Sequence, residues 1–187
     1  MEKRNILDVG ASKAKWRRWL AKNHDKEKEV WLVYYRKSSG KKRISYNDAV
    51  EEALSFGWID SQVKGIDDER LAQRFSPRRK NSVLSEANKA RIRKLIKEKK
   101  MTPAGLKAVE HAFDDDEKFV VAKDILGPLK KNKKAWKNYQ KLPEDYKRVR
   151  IGFIESRRRH GQEAFDKSLA HFIEMSSKNK KFGIWKK

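Results

Sequence analysis

The sequence predicts an α+β fold: a small, mostly antiparallel sheet with packed helices, followed by an all-helical C-terminal segment. Three observations carry that prediction. The run Val30-Trp31-Leu32-Val33-Tyr34-Tyr35 is β-branched and aromatic, and it is too short for a helix, so it reads as a buried strand. Residues 58–76 supply two further arms, Val63 to Ile66 and Leu71 to Phe75, across an Asp67-Asp68 turn; Pro77, which has no N–H to donate, stops the second arm. From about residue 122 onward every apolar stripe has helical period and no strand pattern recurs.

The elements follow in order. Ser12 is placed as an N-cap, and Trp16, Trp19 and Leu20 share one face of a short helix ending near Asn23 or His24. Residues 38–42 form a loop. Ser45-Tyr46-Asn47-Asp48 has the form of a capping box, and Ala49, Val50, Ala53 and Leu54 continue its stripe until Gly57, which is placed to end the helix in a left-handed conformation. Ser85 caps a helix running to Lys99 with Ile92, Leu95 and Ile96 inward. Thr102-Pro103 is a cap followed by proline at the first helical position, and Leu106, Val109 and Phe113 point that helix to the core. Asp114 to Glu117 is an acidic, solvated loop. The helical segment divides into 122–130, 133–141, 144–159 and 162–177, with Tyr146, Val149, Phe153 and Ile154 on one stripe and Phe165, Leu169, Phe172 and Ile173 on another. The tail is basic, with Phe182 and Trp185 available to dock it. The expected organisation is therefore an α+β domain over 1–121, a helical domain over 122–178 and a basic tail over 179–187.

Composition narrows the function classes. The chain of 187 residues has a net charge of +22, with +10 on residues 1–129 and +12 on 130–187. Such a field draws polyanions, although surface lysine also serves solubility alone. There is no cysteine, which excludes disulfides, thiolate catalysis and zinc–thiolate sites. Residues 1–15 hold no apolar run and no window reaches the 18 or more apolar residues of a membrane span, so the expected location is the cytoplasm. His24, His111, His160 and His171 fall at no metal-ligand spacing, and there is no nucleophile elbow, P-loop or dinucleotide fingerprint, so neither a cofactor nor a metal is expected.

Two segments concentrate recognition chemistry. In Phe56-Gly57-Trp58-Ile59-Asp60-Ser61 a glycine, an indole and a carboxylate meet where a helix turns into a strand; Trp58 and Asp60 can line a pocket, or seal the core and bond the loop. In Arg74-Phe75-Ser76-Pro77-Arg78-Arg79-Lys80-Asn81-Ser82, guanidinium forks and hydroxyls suit a phosphate or carboxylate, or staple the hairpin to its own acids. Lys130, Lys131, Lys133 and Lys134, near Trp136 and Tyr139, and Arg157, Arg158 and Arg159 are candidate contacts to nucleic-acid phosphates. They are equally a solvated face and a helix C-terminus complementing its dipole.

The strings Tyr46 to Ser61, Ile66 to Arg70, Arg74 to Arg79, Ser82, Ser85, Asn88 and Met101 to Gly105, together with the Trp31 to Tyr35 run, resemble the YdeI/OmpD-associated family, also labelled bacteriocin-protection proteins. Order and spacing agree up to about residue 110. Departures are Ser55 in place of the family's cysteine, Leu84 in place of its tryptophan, and Glu163-Ala164-Phe165 in place of its Thr-Arg pair after a glutamate. The resemblance implies a compact α+β domain with C-terminal helices and a link to stress or bacteriocin tolerance, and it carries over no catalytic residue.

The leading expectation is a non-enzymatic cytoplasmic binding protein. Trp58, Asp60, Ser61, Arg74, Arg78, Arg79 and Ser82 would form one hollow for a small anionic ligand or an acidic protein segment. The alternatives are a nucleic-acid-associated protein working through the basic C-terminal helices, and an enzyme with an unrecognised site near Asp60.

Overall fold

A computed structural model describes residues 5–114 and 118–183. The acidic-loop expectation at Asp115 to Glu117 and the docking of Trp185 fall outside the described residues. The fold is α+β. A four-stranded mixed sheet has the order β1 (Ile6–Leu7), β2 (Val30–Tyr35), β4 (Arg70–Pro77), β3 (Trp58–Gly65), with β1 parallel to β2 and the other pairs antiparallel. The helices are α1 (Lys13–Asn23), α2 (Tyr46–Ser55), α3 (Glu86–Lys97), α4 (Pro103–Val109), α5 (Lys123–Lys131), α6 (Lys133–Gln140), α7 (Glu144–Arg157) and α8 (Gln162–Ser177), with short 3-10 turns at Lys37–Ser39 and Arg158–His160.

The chain forms two compact units: Met1–Leu84 with Arg91–Phe113, and Ser85–Ala90 with Asp114–Lys187. In the first, alternate residues of β2 (Val30, Leu32 and Tyr34) meet Trp16 and Leu20 of α1 and Ala49, Val50, Ala53 and Leu54 of α2. The pleat sends successive side chains to opposite faces. Trp31 and Val33 therefore lie on the other face, where both are buried and Lys64 stands 5.4 Å over the Trp31 ring. Serine or threonine caps start three helices as their spacing predicts: Ser12 accepts from the Lys15 N–H, Ser45 from Asp48 and Thr102 from Gly105. Gly57 adopts φ +77°, the left-handed turn that frees the chain to begin β3.

In the second unit Ile125, Leu129, Tyr139, Tyr146, Ile151, Ile154, Phe165 and Phe172 close a helical core.

Three inward assignments need correction. Ile96, Leu106 and Phe153 are exposed, each lying just off the buried stripe of its helix. The first arm of the hairpin begins at Trp58 rather than Val63, because pairing with β4 continues past a register shift between Asp60 and Val63. Strand β1, only two residues long, has no pattern that sequence could display. No helix among the described residues is long and apolar enough to cross a membrane.

Candidate functional site

Strand pleating decides where the seven residues expected in one hollow go, and it separates them. Trp58 pairs with Pro77, and Asp60 pairs with Phe75. Phe75 is a core residue, so Trp58 and Asp60 lie on the helix-covered face. The indole of Trp58 is 1% exposed; its Nε1–H donates to the His24 carbonyl at 3.0 Å, and Trp19 meets it edge-on at 5.7 Å. It is a core side chain and offers no open floor to a ligand. Arg74 and Ser61 lie on the opposite face, where Arg74 donates to the Ser61 hydroxyl at 3.3 Å and to Glu29 at 2.6 Å.

Asp60 instead joins a polar cluster that sequence did not indicate. It accepts from the Tyr46 hydroxyl of α2 at 3.0 Å and from the Gln73 amide at 2.8 Å. Burial, reinforced by the Asp60 charge, pushes the Tyr46 phenol up to about 12, so it stays a donor at neutral pH. Burial and the same carboxylate also raise Tyr34, which is 7% exposed and whose hydroxyl has no hydrogen-bond partner among the described residues. Arg91 of α3 donates to Asn47 at 3.0 Å, and burial lowers its proton affinity. The signal for this cluster is long-range register, which is why Tyr34, Tyr46, Gln73 and Arg91 escape a reading of local pattern.

Arg78, Arg79 and Ser82 do come together, on the loop that leaves β4. The Arg78 N–H donates to the Gly57 carbonyl at 2.9 Å, which fixes the start of the loop. The loop folds back on itself through Ser82, whose N–H and hydroxyl both donate to the Arg79 carbonyl. Arg78 Nη2 reaches the Ser82 hydroxyl at 2.9 Å and the Ser82 and Val83 carbonyls at 3.3 Å each. His111 Nε2 lies 3.3 Å from the Ser82 carbonyl. The Arg78 guanidinium is half-buried, its Nε has no acceptor, and among the described residues no carboxylate forms an ion pair with Arg78 or Arg79. Burial alone lowers the proton affinity of Arg78, yet a guanidinium remains charged through such a shift. The result is a cation oriented by its own loop, with hydrogen-bonding capacity left over and no counterion among the described residues.

The basic C-terminal candidates are unequal. Arg158 is held by Glu155 at 2.6 Å and Asp124 at 2.9 Å and stacks 4.0 Å over Phe165, so its charge is matched internally. Lys130 stands 5.3 Å over Trp136 and Arg157 5.9 Å over Phe153. Arg159 donates to His160 at 3.1 Å. Lys131, Lys133 and Lys134 are exposed near the junction of α5 and α6.

No curated protein and no solved structure matches the chain. A family match does exist, and it corrects the family expectation: nothing in it points to the YdeI/OmpD-associated proteins, and the bacteriocin and envelope-stress implications go with that resemblance. The match covers residues 9–108, just over half of the chain and nearly all of the sheet-bearing unit, and on it the chain belongs to the family described as "Domain of unknown function (DUF8412)".

Proposed function

We propose that the protein is a non-enzymatic binding protein whose α+β unit holds a small anion at Arg78, Arg79 and Ser82. The observation that carries this reading is the half-buried Arg78 guanidinium, whose Nε has no acceptor and which has no carboxylate partner among the described residues. A buried cation is costly unless something neutralises it, and a guanidinium edge pairs best with a planar or tetrahedral oxyanion. Arg79, exposed on the same turn, adds a second positive charge, and the Ser82 hydroxyl fixes the orientation of the first. The segment lies inside residues 9–108, so whatever the family has in common can include it. The proposal sets this binding in the cytoplasm, where a chain without cysteine needs no oxidising surroundings.

Thermal denaturation with phosphate, nucleotides, sugar phosphates and small carboxylates tests it. An anion at a hundredfold excess over its Kd adds about 2.7 kcal/mol of stability, and the Arg78→Ala/Arg79→Ala variant is expected to lose that gain. Equal stabilisation of wild type and variant by every anion would sink the reading. An oligonucleotide that alone stabilises both chains equally would move it to the basic helices.

A further inference from the structure

The helical unit holds a hollow that the Arg78 reading does not use. Two adjoining cavities of about 420 and 600 Å³ share Arg150 and Phe153 of α7, His171 of α8, and Phe182. Both lie in the size range typical of small-molecule sites. The smaller is edged by Arg157 and Lys167 and is mixed in polarity. The larger runs along Val149, Gly152 and Ala87 and is walled mostly by carbon.

Arg150 stands where the two meet, and it is the best-built feature of the helical unit. It is 8% exposed. Its guanidinium lies 4.2 Å from the Phe182 ring centre and 5.1 Å from that of Phe153. Nη1 reaches the Phe182 carbonyl at 3.5 Å, the outer limit of a hydrogen bond, and Nε has no acceptor among the described residues. Among the described residues no carboxylate pairs with it; Glu163, on the same wall, is engaged by Lys167. Gly183, at φ +82°, leaves the space for this arrangement, since a Cβ there would collide with Nη1. Ring stacking holds the group rigid but cannot neutralise it, so a buried cation is left with one donating edge vacant.

We propose that this hollow binds a small amphipathic monocarboxylate. The carboxylate would accept two parallel hydrogen bonds from the Nε–Nη2 edge of Arg150, the fork geometry that suits a planar anion. The hydrocarbon body would lie in the apolar cavity against Val149 and Phe153. A purely inorganic anion satisfies the guanidinium and leaves the apolar cavity unfilled. A neutral lipid fills the cavity and leaves the charge unmet. Arg150, Val149, Phe153 and His171 lie outside residues 9–108 while Ala87, at the start of α3, lies inside them, and none of these residues belongs to the Arg78 loop.

Isothermal titration of the full chain with octanoate, 1-octanol and inorganic phosphate separates these terms. Octanoate is expected to bind one per chain, and 1-octanol and phosphate roughly tenfold or more weaker, the effect of losing about one charge-assisted pair. Arg150→Met keeps the bulk of the side chain and is expected to weaken octanoate by the same factor or more, while Arg159→Met, on the exposed surface, leaves it unchanged. Arg78→Ala/Arg79→Ala also leaves octanoate binding intact, so the two sites fail or succeed separately. Equal affinity of the wild-type chain for octanoate and 1-octanol overturns the proposal without any variant having to fold. Unaltered octanoate binding by a folded Arg150→Met chain, or no octanoate binding up to millimolar concentration, overturns it as well.

Discussion

Gly105 is where the tolerance of the α+β unit to added volume is least. A Cβ built there runs into the carbonyl of Ser55, a backbone atom at the end of α2 that cannot swing aside. Thr102 ties the same place from the other side, its N–H and hydroxyl both donating to that carbonyl at 3.0 and 2.7 Å. Gly105→Ala is therefore expected to cost about 3 kcal/mol, read as a fall in the urea midpoint with an unchanged slope. A loss below about 0.5 kcal/mol would mean that α4 can lift off α2 freely. Single residues also show where sequence reading stops. Trp58 and Asp60 stand out in the sequence, but whether an indole faces solvent or core depends on which residue of β4 it opposes. The partner, Pro77, is nineteen positions away, and a one-residue slip would have turned both side chains to the other face.

Helix starts were the most legible elements, because a cap bonds only three residues ahead and needs no knowledge of the rest of the chain. Ser45 and Asp48 form a reciprocal cap at the start of α2, and Asp48 also takes the Lys13 ammonium from α1 at 3.0 Å. The phase of each apolar stripe was less legible. Ile96, Leu106 and Phe153 sit one step beyond their buried neighbours, where only the position of the facing element decides burial. The cap makes a pH prediction. The Ser45 hydroxyl first, then Lys13, hold the Asp48 carboxyl below its ordinary value. A depressed acid stabilises the fold above its unfolded pKa of about 4 and loses that contribution as pH falls through the lower folded value. Thermal midpoints are expected to drop on acidification from pH 5 to pH 3, and Asp48→Asn is expected to shrink that drop. An identical acid profile for the variant would remove Asp48 from the account. The arm exchange between α1 and α2 is wider than this pair, since Arg17 holds Glu52 at 2.6 Å and the Trp16 indole donates to the Ala49 carbonyl.

At the scale of the molecule, the change of periodicity near residue 122 marks where helices alone follow, since helix and strand differ in period along their whole length, whereas the compact units divide at Asp114 and group Ser85–Ala90 with the helices. The candidate sites were visible only in part. The Arg78 loop stands within six consecutive residues and was legible for that reason. Asp60 with Tyr34, Tyr46 and Gln73, and Arg150 with Phe182, are assembled by packing from distant segments and carry no local signature. Charge is likewise a property of the whole, and +22 says more about which partners are drawn in than about where they settle.

The smallest strand has the largest consequence for how the chain behaves in company. β2 is six residues without a charge, bonded to β4 on one side and, among the described residues, paired on the other with Ile6 and Leu7, with Trp31 N–H donating to Asn5. Take that strip away and an uncharged, aromatic, β-branched edge is offered to any neighbouring chain, the kind of template on which cross-β assembly begins. A chain lacking residues 1–8 is expected to scatter light and form higher oligomers at concentrations where the whole chain remains monodisperse, and a charge placed at Tyr35, the half-exposed end of the strand, is expected to suppress it. Two residues thus act as a gatekeeper against self-association.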